Sequence, residues 1–98
     1  RAVHCSSDLV ALGVLNEARA RGLRVPQDLA VCGFGDADFS AALEPALSSV
    51  RIAAAEIGRR AATMILQRCA GQAVVPAVVD VGFEIVERAS TTASPRRP

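Results

Sequence analysis

Two polar segments that directly follow apolar runs contain the side chains best suited to binding chemistry. The first is Ser6-Ser7-Asp8, and the second is Gly33-Phe34-Gly35-Asp36. Hydroxyl and carboxylate oxygens beside an aromatic wall can hold a polyol or a sugar acid. A helix that begins after the first segment would also direct the positive end of its dipole at a carboxylate. We therefore expect a small-molecule site that includes Ser7, Phe34 and Asp36.

Both segments also have purely structural interpretations, which stay open on sequence alone. Two serines followed by an aspartate are typical of a helix N-cap, and Gly-Phe-Gly-Asp is typical of a strand that ends in a turn. The second segment is not a dinucleotide-binding fingerprint, because no GxGxxG spacing leads into a helix.

Groups suited to catalysis or metal binding are sparse. The single histidine, His4, lies inside a predicted strand with no carboxylate near it in sequence, and no serine lies in a GxSxG turn. Cys5, Cys32 and Cys69 lack CxxC spacing, so we expect buried free thiols in a reducing compartment rather than a disulfide framework or a zinc site. We predict that the protein is not an enzyme, and that it has no catalytic residue, no metal and no cofactor.

Charge and composition argue against direct contact with nucleic acid or membrane. The formal net charge is +1, and the 11 basic residues, all Arg, are scattered rather than gathered into a stripe. The Arg96-Arg97 pair lies in a Pro/Ser-rich end, which we interpret as a solvated terminus. No charge-free stretch is long enough to cross a membrane, and no signal peptide is recognisable, so we expect a cytoplasmic protein.

The 98 residues suffice for one small domain, and their periodicity predicts an α/β order of elements. A strand at residues 2–5, a helix that ends near Gly22 and a strand at residues 29–34 predict a βαβ unit. Such strands run parallel, and their carboxyl ends open on one edge, where we expect the two polar segments to meet. The other predicted elements are a helical turn at residues 39–43, strands at residues 47–52 and 78–86, and a helix at Ala54–Cys69. We expect the last strand to be interrupted at Gly82 by a bulge or a close approach of the backbone.

The order of these motifs resembles the LacI/GalR family of bacterial transcription repressors. The similarity lies in SDLVALG (residues 7–13) followed by GLRVPQDLAVCGF (22–34), and in PALSSV (45–50) followed by IGRRAA (57–62). The ending ERAST (87–91) is also similar, so the resemblance covers residues 1 to about 92. The segments GFGD (33–36) and VDVGF (79–83) look like the gluconate-utilisation repressor branch of that family.

The resemblance implies an α/β fold of the periplasmic-binding-protein-like type (type I), a parallel sheet with flanking helices, present only as a C-terminal fragment. Residues 1–92 would be the C-terminal part of the effector-binding and dimerisation core, and residues 93–98 a disordered tail. The partners implied are a sugar or sugar acid in a cleft between two lobes, and a second copy of the chain in a homodimer. Operator DNA would be bound only through a separate N-terminal helix-turn-helix domain, which is absent here, and no membrane is implied.

Carried over residue by residue, the resemblance implies a ligand site at Ser7, Phe34, Gly35 and Asp36. The family usually has Asn at the position of Ser7 and Asp at the position of Gly35. Loss of that carboxylate suits an anionic ligand, because like charges in a cleft repel each other. We therefore expect a gluconate-like effector.

The resemblance also implies a dimer interface, formed by Leu12, Leu15, Asn16, Phe39 and Leu43, and burial of these side chains within one chain is the alternative. Two other functions compete with a regulator's sensing domain. One is a periplasmic-type sugar-binding protein, which free cysteines disfavour, and the other is a fragment of an unrelated α/β enzyme.

Overall fold

The predicted βαβ order is present in the structure, a computed structural model that describes residues 1–92. The elements are β1 (Ala2–His4), α1 (Asp8–Ala20), β2 (Ala30–Cys32), a 3-10 turn (Ser40–Ala42), β3 (Ser49–Ile52), α2 (Ala54–Cys69) and β4 (Phe83–Val86). The chain divides into two units, Arg1–Arg51 with the chain from Glu84, and Ile52–Phe83. The predicted tail, residues 93–98, lies outside the described residues.

Strands β1 and β2 are parallel, which confirms the prediction on which the shared edge depends. Val3 pairs with Val31 in this register, and Cys5 N donates to Cys32 O at 2.8 Å. The residue before β3 continues the arrangement, because Ser48 forms a parallel bridge to Cys32. Strands β3 and β4 form a second, two-stranded sheet.

Helix α1 packs on these strands through one face. Ala11, Leu15 and Ala18 recur at helical spacing and are buried. They belong to a core of small aliphatic side chains that centres on the fully buried Val31 and Leu47. The helix ends at Ala20, and Gly22 follows the C-cap residue Arg21 as predicted, with a φ of 71° that is readily adopted only by glycine.

The segment after β4 completes the first unit. Ser90 is fully buried, its Oγ donates to Val31 O at 2.6 Å, and its backbone N–H donates to Ala46 O at 2.9 Å. Thr91 Oγ1 lies 2.5 Å from Ser48 Oγ. These bonds satisfy buried polar groups at the end of the sheet, so the ordered core extends through Thr91.

Three predictions need correction. The final strand was expected at residues 78–86 with an interruption at Gly82, yet within this range only Phe83–Val86 forms a strand. Gly82 has φ 78°, and its N–H donates to Asp80 Oδ1 at 2.8 Å, so the strand begins directly after the expected interruption. The strands expected at 29–34 and 47–52 are shorter, at Ala30–Cys32 and Ser49–Ile52.

The prediction that all three thiols are buried was also wrong, since Cys5 is buried, Cys32 is partly buried and Cys69 is exposed. Burial raises the pKa of the Cys5 thiol.

The second unit contains α2, which has the predicted bounds but no buried side chain. Its first residue follows Ala53, which provides no side-chain cap, and Glu56 forms ion pairs with Arg59 and Arg60 one turn on, as expected. Large apolar side chains are exposed along this unit, including Ile65 and Leu66.

Candidate functional site

The ends of β1 and β2 meet at one edge of the sheet. Asp8, at the first position of α1, donates from its backbone nitrogen to Phe34 O at 3.1 Å. The backbone nitrogen of Asp36 donates to Ser49 Oγ at 2.9 Å. The two polar segments singled out from the sequence, together with the start of β3, therefore form one continuous edge, which we call the strand-exit edge.

Asp8 organises this edge from within. The residue is 2% exposed, and its Oδ1 accepts from Ser49 Oγ at 2.8 Å. Its Oδ2 accepts from Ala37 N at 2.7 Å and from Ser40 Oγ in a short hydrogen bond. Buried carboxylates need such donors, because an unpaired charge away from water is costly. Asp8 therefore joins α1 to the segments after β2 and before β3, and it has little surface left for a ligand.

Only glycine fits at position 33, because Asp8 occupies the space that a side chain would need. A side chain at this position would overlap with Asp8 Oδ1 and come within 3.1 Å of Asp8 Cα. The glycine thus allows β2 to approach the first turn of α1 closely, which brings Phe34 and Asp8 into hydrogen-bond contact.

Asp36 is held by two arginines rather than left open to a ligand. Its side chain is 11% exposed, its Oδ2 accepts from Arg51 Nε at 2.8 Å, and Arg88 Nη2 lies 2.8 Å from its Oδ1. Burial raises the pKa of Asp36, but the hydrogen bonds and charges of Arg51 and Arg88 outweigh it and keep the pKa below its usual range. Asp36 is therefore a carboxylate anion at neutral pH and anchors its turn, where its φ is 54°.

The other proposed ligand residues lie at the surface of the strand-exit edge. Ser7 is the N-cap of α1, and its Oγ accepts from Val10 N at 3.2 Å, which leaves its O–H available as a donor. Phe34 is 38% exposed, and Gly35 has φ 111° with open space where a side chain would begin. The surface of the edge thus offers a hydroxyl from Ser7, an aromatic ring from Phe34 and open space at Gly35.

The residues proposed for a dimer interface have different environments. Leu15 is 8% exposed and belongs to the chain's own core, against which Leu43 also packs. Leu12 and Phe39 are half-buried, and Asn16 is exposed. Of the five, Leu12 and Asn16 are on the side of α1 that the core leaves open.

Sequence reasoning missed the roles of Asp8, Ser40, Arg51 and Arg88. The alternation of residues 47–52 contained a usable signal, because it places Ser49 and Arg51 on one face of the strand. That face contacts both aspartates of the edge, since Ser49 bonds Asp8 and Arg51 bonds Asp36. The ion pair between Arg88 and Asp36 joins residues far apart in sequence, and no local sequence pattern indicated it.

Neither a metal centre nor a membrane span is found in residues 1–92. No group of three or more His, Cys, Asp or Glu side chains is arranged there to hold a metal ion. No helix in the same range is long and apolar enough to cross a membrane.

Comparison with known proteins agrees with the fold and defines the family. Residues 1–91 match the periplasmic binding protein-like domain, and the chain belongs to that family. Within it, the chain is part of the C-terminal core of a LacI/GalR-type transcription regulator, which confirms both the recognised family and the fold class.

Several similar proteins are transcription regulators. The HTH-type transcriptional regulator GntR of Pseudomonas aeruginosa is 46% identical over 87 residues, which is 89% of this chain and 25% of that protein. The regulator CelR in complex with cellobiose matches with a TM-score of 0.84 and 34% identity over 91% of this chain and 27% of that one. The lac repressor dimer bound to operator and the anti-inducer ONPF matches with a TM-score of 0.84 and 29% identity, over 94% of this chain and 28% of that chain.

The chain spans about a quarter of the length of the relatives it matches. Relatives that are regulators and repressors confirm the prediction that this chain is not an enzyme.

Proposed function

We propose that this chain is the effector-sensing and dimerisation portion of a LacI-type transcription regulator, with the strand-exit edge as its part of the effector site. The observation that carries the proposal is the parallel pairing of β1 and β2, with Asp8 N bonded to Phe34 O at 3.1 Å. In open α/β sheets, ligands bind beyond the carboxyl ends of parallel strands. The strand-exit edge lies at these carboxyl ends, and its hydroxyl and aromatic groups suit a small polar ligand.

The effector we propose is a sugar acid of the gluconate type. Phe34 offers an aromatic surface for the carbon chain, and the hydroxyl of Ser7 offers a donor. At Gly35 no carboxylate is present to repel an anion, and the carboxylate of Asp36 is bound to arginines. The similarity to GntR of Pseudomonas aeruginosa supports this choice, while the cellobiose complex of CelR makes a neutral sugar the principal rival.

The regulator would act as a homodimer in the cytoplasm. A dimer brings two DNA-binding domains to the two halves of an operator, which is how symmetric repressors recognise DNA. The lac repressor, to which this chain is similar, is a dimer when bound to its operator, and this supports the same arrangement here. Effector binding would shift the populations of two core conformations that differ in affinity for DNA.

Calorimetric titration of the full-length protein tests this function. We expect gluconate or its phosphate to release heat with a saturable isotherm and to change operator affinity in a parallel anisotropy assay. A response to a neutral sugar or a purine, with no response to sugar acids, would reject the anionic effector. No response to any of these compounds would reject the sensor assignment itself.

A further inference from the structure

The two arginines that hold Asp36 differ in how much of their side chains they leave open. Arg88 is 16% exposed, and its Nη1 donates to Leu47 O at 2.7 Å while its Nη2 faces Asp36. Arg88 is therefore committed to the protein interior, where it balances the charge of Asp36. Arg51 is 49% exposed and reaches Asp36 through its Nε alone.

Arg51 also lies at the strand-exit edge. It follows Val50 in β3, and Val50 O accepts a hydrogen bond from Gly35 N at 2.8 Å. The guanidinium of Arg51 is bound to the side chain of Asp36, the next residue after Gly35. Gly35 has no side chain, and apart from its chain neighbours no atom lies within 4 Å of the place where one would begin, so this position beside the Asp36–Arg51 pair is open to a ligand.

We propose that Arg51 is a specificity-determining residue that binds the carboxylate of the effector, with Asp36 as the positioning residue that orients its guanidinium. The proposal rests on the function proposed above and deepens it. Within residues 1–92, the guanidinium of Arg51 donates to Asp36 through Nε, so both Nη groups remain for a two-point contact. Arg and carboxylate pair well in this geometry, since two parallel N–H bonds match two oxygens.

A second carboxylate affects the same guanidinium. The hydrogen bond and charge of Asp36, with a smaller contribution from Glu84, raise the pKa of Arg51. Glu84 is an exposed residue of β4, the strand that pairs with β3, so its negative charge would repel an effector carboxylate that approaches Arg51. Removal of the Glu84 charge should therefore strengthen binding of an anion, which is an effect opposite in sign to the loss of Arg51.

The test compares gluconate with glucitol, its neutral counterpart of the same carbon number, by calorimetry on the full-length protein. We expect the wild type to prefer gluconate, and Arg51→Gln to reduce that preference by about tenfold or more. Arg51→Lys should keep part of the preference, and Glu84→Gln should increase it. Arg24→Gln is the matched control, because Arg24 is an exposed arginine that pairs with Asp28 away from this edge.

The outcomes separate this proposal from the function on which it rests. If Arg51→Gln keeps the full preference for gluconate, or weakens the binding of gluconate and glucitol equally, then Arg51 does not bind the carboxylate of the effector. That result overturns the inference and leaves the proposed sensing function intact. If the wild type binds neither compound nor any other sugar or sugar acid, the proposed function fails and the inference fails with it.

Discussion

Asp8 and Ser49, 41 positions apart in the chain, are joined by a hydrogen bond of 2.8 Å from the serine hydroxyl to Asp8 Oδ1. This bond links the first turn of α1 to β3, and Asp8 Oδ2 extends the link to Ala37 and Ser40. The strand-exit edge is therefore held together by one buried carboxylate, whereas Ser7, Phe34 and Gly35, which are proposed to bind the effector, are more exposed.

Loss of the Asp8 carboxylate should destabilise the fold strongly. We expect Asp8→Ala to lower the free energy of unfolding by about 3 kcal/mol or more, because buried donors from Ser40, Ser49 and Ala37 lose their acceptor. Urea titration followed by circular dichroism measures the change. Asp38→Ala, which removes an exposed carboxylate from the same loop, is the control and should leave stability nearly unchanged. Equal effects of the two substitutions would contradict the role of Asp8.

Two glycine substitutions should have opposite effects on stability. Gly33→Ala should cost about 2 kcal/mol or more, because the new methyl group overlaps with Asp8 near its backbone. Gly13→Ala, in the interior of α1 with open space around it, should stabilise by up to about 1 kcal/mol. Thermal unfolding of both variants measures the difference, and a neutral Gly33→Ala would show that β2 and α1 do not approach this closely.

The pH dependence of stability should report the ion pairs of Asp36. Its pKa in the folded state is lowered, so its contribution is present above the unfolded pKa of about 3.9 and is lost as pH falls through the lower folded value. The gap in melting temperature between wild type and Asp36→Asn should therefore be largest near neutral pH and should close below about pH 4. A gap that widens on acidification would contradict the assignment.

The proposed dimer depends on one side of α1. At 100° per residue, Leu12 and Asn16 lie together on one flank of the buried face, whereas Val10 lies on the other flank. We expect Leu12→Asp to convert the dimer into monomers by light scattering of the full-length protein, because it places a charge in an apolar contact. Val10→Asp is the matched control, since Val10 is 51% exposed, and it should stay dimeric. Dimers that persist in Leu12→Asp would place the interface elsewhere.

The sequence predicted those parts of the fold that local periodicity controls. Helix α2 has the predicted bounds, α1 begins at the predicted cap, and β1 and β2 are parallel. The interruption at Gly82 was expected, but the final strand was overestimated, because the apolar composition around Val78 does not reveal that residues 78–82 stay outside the strand. Alternation of apolar and polar residues cannot distinguish an extended segment that pairs from one that does not.

The sequence predicted that the two polar segments meet, but it did not predict the contacts that hold Asp36. Ser7 and Phe34 were expected at a common edge, and the structure brings their segments together through Asp8. The partners of Asp36 were not predicted, because Arg51 and Arg88 are 15 or more positions away and reach it only through the tertiary fold. Contacts between distant residues of this kind leave no periodic signal in a single sequence.

The proposed sensing surface is tested most directly by a crystal structure of the full-length regulator with gluconate. We predict ligand density at the strand-exit edge, with the carbon chain against Phe34 and the carboxylate within hydrogen-bond distance of the Arg51 guanidinium. Density for the ligand at any place remote from Phe34 and Gly35 would contradict the claim that the ends of β1 and β2 form the sensing surface.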